Sequence, residues 1–476
     1  MSLLAAALFV STVSAAPAVS KADLGKKQAA TASVDAHRAD LVSLADQVWA
    51  FAETALRETR SAALLADHAE RQGFRVERGV AGMPTAFVAS YGEGRPVIAV
   101  LGEYDALPGL SQKAVAERAA QQEGAPGHGC GHNLFGAASL GAAIAVKELV
   151  AAGKLSGTVR YYGTPAEEAI GGKVYMTRDG LFRDVDVALA WHPADRTHAD
   201  TQSGQALVDL AVEFQGRTSH AAFDPWNGRS AVDALELFTH GVNMMREHVK
   251  PTVRMHYAIQ EGGVVPNVVP DHAKLWIWAR DFDRKGVEEV LARLRKAAEG
   301  AALMAGVTAK VTVQAGDYEI LVNEAGARLL DANLRWLGPI VYTPEEQAFA
   351  RALQKAAGVD PVGMDTAIGP LEGQEKEGGS TDVGDVSWNL PTLHVSVATA
   401  PRGVPWHAWP VVAAGGMSIG HKGLIQAAKT LAATMVDLFD DPAARAAVRA
   451  EFEKKTQGFV YAPFIPPGPP PVPKAE

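Results

Sequence analysis

The 476-residue chain contains a single cysteine, Cys130. A disulfide within the chain is therefore excluded, and the lone thiol is a buried filler, a reactive group or a metal ligand. Positive charge is also scarce, because 45 Lys and Arg residues face 54 Asp and Glu residues, which gives a formal net charge of −9. Nucleic acids and anionic membranes require a basic face. We therefore expect neither of them as the main partner.

Beyond the first residues, no segment of the chain has about 18 uninterrupted apolar residues. We therefore expect no membrane span. The start of the chain does contain a short apolar run followed by small residues. This pattern predicts a signal peptide over residues 1–22, although no Lys or Arg precedes Lys21. A periplasmic or secreted location follows, with a cytoplasmic one as the alternative. Residues 464–476 are rich in proline and predict an extended, unfolded tail.

Apolar patterns divide the rest of the chain into two kinds of unit. Continuous apolar runs such as residues 96–101 (PVIAVL) alternate with helical patterns, which is typical of a sheet covered on both faces. From Ala206, apolar and polar residues alternate in half-exposed strands, in the order strand, helix, strand, strand, helix, strand. We therefore predict an α/β domain with a mostly parallel central sheet over residues 36–205 and 318–450. An α+β unit over residues 206–317 is inserted into it.

Two pairs of potential metal ligands are spaced two residues apart. Glu103 and Asp105 follow the PVIAVL run, and in an extended segment they face the same way. Alone, they fit a solvated acidic loop equally well. Cys130 and His132 lie in PGHGCGHNLFG, where glycines leave room for an ion that both can bind. The alternative is a buried cysteine in a capping loop, and His128 in the same loop is the weaker candidate.

Two further segments complete the pattern. Glu167 and Glu168 follow a predicted strand, and their side chains diverge. One can bind metal while the other reaches a water whose pKa the metal lowers; an exposed glutamate pair is the alternative. His192 ends the apolar run of residues 185–191, where a lone histidine is usually structural. Its place in this series favours a ligand, and His407 in VPWHAWPVV would complete the set.

In this order, the segments GEYDALPGL, PGHGCGHNLFG and GGSTDVGDVSW resemble the di-metal aminoacylase and carboxypeptidase family, most of all its branch of p-aminobenzoyl-glutamate hydrolase B-subunits. The resemblance covers residues 36–440. It departs at Asn133 from relatives with simpler hippurate-like substrates, which carry Asp there. It implies that residues 36–205 and 318–450 form a catalytic domain and that residues 206–317 form a lid and dimerisation domain.

The resemblance also implies two divalent ions, zinc or manganese, held by five ligands: Cys130, His132, Glu168, His192 and His407. Glu167 corresponds to the general base that activates a bridging water. Asp105 corresponds to an acid that orients one of the ligands. Glu103 lies where other branches carry a ligand, and its role stays open.

The small unit is implied to supply substrate contacts. His220 corresponds to a residue that stabilises an oxyanion, often in the partner subunit's site, and Asn267 to a residue that touches substrate. Arg280, at a predicted strand end, is a candidate clamp for a substrate carboxylate, with a surface salt bridge as the alternative.

The implied protein is a homodimeric hydrolase of N-acyl or N-aroyl amino acids such as p-aminobenzoyl-glutamate, or of dipeptides. Two other classes stay open, a non-catalytic metal- or amino-acid-binding protein and a hydrolase with Cys130 as nucleophile. A cysteine next to a ligand-like histidine fits a metal site better than a nucleophile.

Overall fold

The computed structural model describes residues 20–376 and 379–473. Most of the predicted signal peptide lies outside the described residues. The helices are α1(Leu24–Ala36), α2(Arg38–Phe51), α3(Thr59–Arg71), α4(His132–Ala151), α5(Gly172–Arg178), α6(Ala231–Met245), α7(Arg284–Ala305), α8(Glu324–Leu337), α9(Pro344–Ala356), α10(Val383–Ser387), α11(Trp409–Gly415), α12(Ser418–Asp440) and α13(Pro442–Lys455). The strands are β1(Arg75–Arg78), β2(Phe87–Glu93), β3(Val97–Gly102), β4(Gly157–Gly163), β5(Val187–Ala194), β6(His198–Ala199), β7(Ala206–Gln215), β8(Arg254–Gly262), β9(His272–Asp281), β10(Thr308–Asp317) and β11(Thr392–Ala398).

The larger sheet has seven strands in the order β1-β2-β4-β3-β5-β11-β6. Its four central strands, β4, β3, β5 and β11, run parallel, and the edge strands pair antiparallel. Every residue of β3 is buried, as expected for a strand covered on both faces. The predicted α/β class with a mostly parallel central sheet is confirmed.

Helix α4 is the central helix of this unit and packs on α12, α1 and β3. Gly131 precedes it with a φ of +77°, a conformation that glycine adopts without strain. In the described part of the chain, α4 is the one helix with the length and composition of a membrane span, and most of it is buried inside the protein.

The smaller sheet has the order β10-β7-β9-β8, and all its pairings are antiparallel. Helices α6 and α7 pack on it and enclose a separate apolar core. Along the chain this unit begins at β7 and ends at β10, with the predicted order of strands and helices. It is therefore an insertion between β6 and α8 of the larger unit.

Strand β7 differs from its prediction as a half-exposed strand. Nearly all of it is buried, because its polar face is also covered. Asp209 accepts hydrogen bonds from Trp276 Nε1 at 2.6 Å and Gln314 Nε2 at 3.1 Å. A buried carboxylate with two donors replaces the water that the alternation suggested.

The proline-rich tail was predicted to be unfolded, and this is wrong for its described residues up to 473. It has no helix or strand but packs against both units. Phe464 lies against Arg284 of the smaller unit. The carbonyl oxygen of Gly468 accepts a 2.7 Å hydrogen bond from Arg178 of the larger unit, and Pro470 is buried.

Candidate metal centre

The parallel strands bring three distant segments to one edge of the larger sheet. Glu103 and Asp105 directly follow β3, Glu167 and Glu168 follow β4, and His192 lies near the carboxyl end of β5. Because carboxyl ends of parallel strands meet at the same edge, these side chains converge, as is usual for sites in α/β folds.

Two groups of ligand atoms form there and share one residue. Cys130, His132 and His192 form the first group, and Cys130, Glu168 and His407 form the second. Within each group the ligand atoms lie within 4.8 Å of one another. Cys130 Sγ lies 3.4 Å from His192 Nε2, and His407 Nε2 lies 3.4 Å from Glu168 Oε2. The five predicted ligands are therefore brought together, with the thiol between the two halves.

The outer nitrogens of two histidines are already occupied. His132 Nδ1 lies 2.9 Å from Asp105 Oδ1, and His192 Nδ1 lies 2.7 Å from the carbonyl oxygen of Pro193. Such contacts keep the proton on Nδ1 and leave the Nε2 lone pair for an ion. Asp105 also accepts a 2.9 Å hydrogen bond from the backbone N–H of Glu168 through Oδ2. One carboxylate thus orients two candidate ligands.

The buried atoms of this cluster fit divalent cations. His132 Nε2 and Glu168 Oε1 are buried without a hydrogen-bond partner in the described chain. Burial, with the charge of Glu168, raises the pKa of the Cys130 thiol, and burial lowers the pKa of His192 to about 4. A buried thiol, imidazoles and a carboxylate are the donor set that zinc and similar ions bind. An ion bound by these residues would replace the thiol proton and supply positive charge beside the carboxylates.

Two residues at the cluster have a backbone conformation that side chains disfavour. Ala166, immediately before the glutamate pair, has a φ of +61°, and His407 has a φ of +54°. The N–H of His407 donates a 3.0 Å hydrogen bond to the carbonyl oxygen of Gly129, in the loop of Cys130. Strained non-glycine residues concentrate at functional sites, where the surroundings enforce them.

Glu167 lies beside the ligands without being needed in either group. It forms a third group with Glu103 and His132, again within 4.8 Å. Burial, followed by the charges of Glu103 and Glu168, raises the pKa of Glu167 well above its usual value. An acid in such surroundings holds a proton readily and can pass it on.

A buried charge network that the sequence did not predict supports Glu103. Lys173 Nζ lies 2.6 Å from Glu103 Oε1 and 2.5 Å from Asp382 Oδ1, and all three side chains are inaccessible to solvent. Although burial opposes it, the charges of Asp382 and Glu103 raise the pKa of Lys173. Glu103 Oε2 in turn lies 3.1 Å from His132 Nε2. Glu103 therefore lies beside the ligands, and the positive charge of Lys173 balances its negative charge. Its role was left open by the sequence.

The sequence gives little indication of this charge network. Lys173 directly follows the GG of EEAIGG, and Asp382 lies in GGSTDVGDVSW. A lysine and an aspartate at segment ends are usually read as solvated charges. Only the packing of α5 against α10 shows that they face each other.

Arg280 lies at the end of β9 and is partly buried. Its Nη1 donates a 3.1 Å hydrogen bond to Ser380 Oγ, and its buried Nε has no partner in the described residues. Burial lowers the pKa of Arg280, against the charges of Asp317 and Glu167. The alternative, a surface salt bridge of Arg280, is absent among the described residues, and the partnerless Nε–H is a donor of the kind that a carboxylate can bind.

The structure does not bring His220 and Asn267 to the cluster. Both are exposed on the smaller unit, next to each other, where the Ala221 N–H donates to the Asn267 carbonyl oxygen at 3.0 Å. Across residues 20–376 and 379–473, no hydrogen bond or ion pair joins either to the ligands. His220 Nδ1 accepts from the backbone N–H groups of Ala222 and Phe223, at 3.2 and 3.0 Å. Its neutral ring therefore carries the proton on Nε2.

Two other candidates have different roles. His128 Nε2 lies 3.0 Å from the carbonyl oxygen of Val48, which is a structural contact, and burial lowers its pKa to about 4. The segment Gly416–Gly420 (GMSIG) fits a serine-hydrolase motif. It joins α11 to α12 rather than a strand to a helix, so it lacks the required nucleophile turn.

Known proteins are similar to this chain in sequence over most of its length. The chain is 38% identical over 464 residues to the B-subunit of p-aminobenzoyl-glutamate hydrolase from Escherichia coli (strain K12), across 91% of this chain and 96% of that protein. It is 30% identical to the Xaa-Arg dipeptidase of Mus musculus, across 90% of this chain and 93% of that protein.

Solved structures show the same fold. A dinuclear metal-binding peptidase of the M20 family from Bacillus subtilis matches with a TM-score of 0.58 and 19% identity, over 86% of this chain and 99% of that one. An aminobenzoyl-glutamate utilization protein from Klebsiella pneumoniae matches with a TM-score of 0.56 and 18% identity, over 82% and 96%.

The family itself follows from a direct match. The model of Peptidase family M20/M25/M40 matches residues 99–392, a stretch that includes four of the five candidate ligands. The resemblance noted from the motifs and the expected hydrolase class are both confirmed. Since this match covers more than half of its length, the chain belongs to Peptidase family M20/M25/M40.

Proposed function

We propose that the protein is an amidohydrolase that removes an acyl or aroyl group from the nitrogen of an amino acid. The observation that carries this proposal is the pair of ligand groups that share Cys130, with Glu167 beside them. The 38% identity to a p-aminobenzoyl-glutamate hydrolase supports an aroyl-glutamate as the first substrate to test.

Cys130, His132 and His192 would hold one divalent ion, and Cys130, Glu168 and His407 a second, either zinc or manganese. When bound, such ions polarise a carbonyl group and lower the pKa of a water molecule. His132 and Glu168 are preset for this task by Asp105, which fixes both from behind. Glu103 stays outside the ligand set because Lys173 neutralises it.

Glu167 is the proposed general base and acid. It takes a proton from the attacking water, whose oxygen bonds to the amide carbon. It then gives that proton to the leaving nitrogen as the carbon–nitrogen bond breaks. Its adjacency to Glu168 supports this division of labour, because neighbouring side chains point in different directions. The products are a free carboxylic acid and an amino acid.

Arg280 is proposed to bind the free carboxylate of the substrate through its partnerless guanidinium edge. Glu167 is among the charged groups that act on the pKa of Arg280, which supports a place for this clamp on the side of the reacting bond. Substrates without a free carboxylate are then poor substrates.

A homodimer is proposed because the single chain leaves His220 exposed and away from the ligands. His220 Nε2–H from a second copy would stabilise the oxyanion, and Asn267 would contact the substrate. The smaller unit offers a surface for such pairing. Its edge strand β8 carries the exposed Ile259, and the end of α6 carries the exposed Met244. A hetero-complex is the alternative, since the A-subunit of a p-aminobenzoyl-glutamate hydrolase is 29% identical over 47% of this chain.

Dipeptides are the second proposed substrate class, favoured by the 30% identity to an Xaa-Arg dipeptidase. The same clamp and base would serve a dipeptide, which also carries a free carboxylate. A non-catalytic binding protein is a weaker alternative, because binding alone gives Glu167 no task.

The test is amino-acid release by purified protein from N-acyl amino acids, p-aminobenzoyl-glutamate and dipeptides. Each substrate is assayed as purified, after chelation, and after zinc or manganese is restored, with bound metal counted in parallel. We expect hydrolysis that chelation abolishes and metal restores. Two bound ions with no hydrolysis of any substrate would contradict the proposal and favour a missing partner chain or a binding protein.

Export to the periplasm or medium is a further proposal, based on the apolar run within residues 1–22. Fractionation of the native host with sequencing of the mature N-terminus tests it. A cytoplasmic protein with its first residues intact would contradict it.

A further inference from the structure

Glu58 is a buried carboxylate that neither the ligand set nor the proposed chemistry uses. Its side chain is fully shielded from solvent, at the residue that precedes α3. Glu58 Oε1 accepts a 2.9 Å hydrogen bond from the backbone N–H of Ala166, 108 positions along the chain. A buried carboxyl group needs a specific partner to offset its lost hydration. Here that partner is the backbone immediately before Glu167.

The backbone that Glu58 holds is strained. Ala166 has a φ of +61°, in the left-handed region where a side chain is disfavoured. Its carbonyl oxygen accepts hydrogen bonds from the N–H groups of Ile170 and Gly171, at 3.3 and 3.1 Å. A Cβ atom on Gly172 would meet the carbonyl oxygen of Pro165 at 2.0 Å. The turn is therefore fixed on its carbonyl side by Ile170 and Gly171, directly before α5, and on its N–H side by Glu58.

Two carboxylates hold the residues on either side of Glu167. Glu58 binds the N–H of Ala166, and Asp105 binds the N–H of Glu168 at 2.9 Å. The peptide groups before Ala166 and after Glu167 are thereby both anchored, and together they limit the direction of the Glu167 side chain. Relaxing Ala166 to the usual negative φ would turn the Glu167 Cα–Cβ bond away from its present direction.

We propose that Glu58 is a positioning residue that holds the left-handed turn at Ala166 and so aims Glu167 at the reacting bond. The inference rests on the proposed function of Glu167 as general base. A displacement of about 1 Å at a reacting group costs about 10²-fold in rate, so a hydrogen bond to a distant backbone N–H has a measurable effect on turnover.

Burial, followed by the charge of Asp105, raises the pKa of Glu58 to about 8. A glutamine has the same shape and a carbonyl oxygen that accepts from Ala166. Glu58→Gln therefore keeps the clamp, whereas Glu58→Ala removes it. Glu53→Ala is the matched control, because Glu53 Oε2 accepts from the N–H and hydroxyl of Ser61 at 2.9 Å and caps α3. Its carboxylate makes no contact with the glutamate pair.

The experiment measures kcat, KM, melting temperature and bound metal for the three variants and the wild type on one N-acyl amino acid. We expect Glu58→Ala to lose about 10²-fold in kcat with KM within about threefold. Glu58→Gln should stay within about fivefold of wild type in kcat. Glu53→Ala should lower the melting temperature and keep kcat within about twofold.

A second substitution separates positioning from folding. Ala166→Gly adopts the positive φ without strain, so adding it to Glu58→Ala should recover at least about tenfold in kcat. Equal kcat losses for Glu58→Ala and Glu53→Ala, or no recovery from Ala166→Gly, would overturn the proposal.

The effect of the Glu58 hydrogen bond on this turn can also be measured without turnover, through metal binding. Glu168 follows Glu167 on the same turn, so titration with cobalt(II) alone should show weaker binding and a changed visible spectrum in Glu58→Ala, and wild-type behaviour in Glu58→Gln and Glu53→Ala. Wild-type cobalt binding in Glu58→Ala would count against the clamp. A wild-type protein that binds cobalt but hydrolyses nothing would sink the proposed function instead.

Discussion

The candidate ligands on the larger sheet and the candidate substrate residues on the smaller sheet are held in contrasting ways. His132 is inaccessible to solvent and fixed by Asp105, whereas His220 is exposed and held only by its own loop. The first set is brought together within one chain. Among the described residues, neither His220 nor Asn267 forms a hydrogen bond or ion pair with the ligands, and Arg280 donates a hydrogen bond only to Ser380 Oγ. The proposed metal centre thus lies within one protomer, while catalysis on the proposed scheme requires a second copy. Substitutions among the buried ligands of the larger sheet and among the substrate residues of the smaller sheet test the two sides of this contrast separately.

The largest effect is expected from Glu167→Gln on the buried side. Loss of the proton carrier should lower kcat by roughly 10²- to 10⁴-fold, while both ions stay bound because no ligand is changed. Steady-state kinetics with metal analysis measures this. A variant that keeps near-normal turnover would remove Glu167 from the chemistry.

On the exposed side, His220→Ala should lower kcat by about 10²- to 10³-fold without loss of metal. Mixing it with Glu167→Ala should restore activity, because a mixed dimer pairs one intact base with one intact His220. Random exchange of protomers in such a two-fold dimer gives about a quarter of wild-type activity. If the mixture stays inactive after proven exchange, each active site takes His220 from its own chain.

Between the two units, Arg280→Ala should lower kcat/KM by about 10- to 100-fold for substrates with a free carboxylate, since a charge-assisted hydrogen bond is lost. The matching amide-terminated substrates should show little change. Comparing the two substrate sets in wild type and variant gives the result as a ratio. Equal losses for both sets would show that Arg280 does not bind the carboxylate.

The smallest change in turnover is expected from Asp105→Asn at saturating metal. The asparagine can accept from only one of the His132 Nδ1–H and the Glu168 N–H, and it no longer carries the charge that fixes the imidazole. Metal affinity should fall by about 10- to 100-fold, which competition with a chelating dye measures. An unchanged metal affinity would show that His132 and Glu168 depend less on Asp105 than its two hydrogen bonds imply.

Much of the fold could be predicted because the periodicity is strong where strands are buried on one or two faces. β3 was predicted within one residue at each end, and the inserted unit was predicted with the correct start and the correct order of strands and helices. Strand β11 was missed, although it lies between β5 and β6 in the larger sheet. Its sequence, TLHVSVA, alternates like an exposed strand. His394 and Ser396 occupy its polar positions and face Asp200 rather than water.

The site residues also divide into those that the sequence could predict and those that it could not. Cys130, His132 and Glu168 could be found because ligand types recur at short spacings next to strand ends. Lys173 and Glu58 could not, because a charged residue in a sequence is expected to be solvated. Their partners, Asp382 and Ala166, lie more than 100 positions away. Contacts at such separations depend on tertiary packing, which a single sequence does not display.

One thiol stands between the two ligand groups, and the protein has no other. Any absorption band from sulfur-to-metal charge transfer, and any mass increase from alkylation, therefore reports on this one atom. Metal occupancy of this position can therefore be followed on the wild-type protein itself, because no second thiol contributes a background signal and no cysteine-free variant is needed. Protection of Cys130 from a thiol reagent, followed against added metal, gives the filling of the shared position directly.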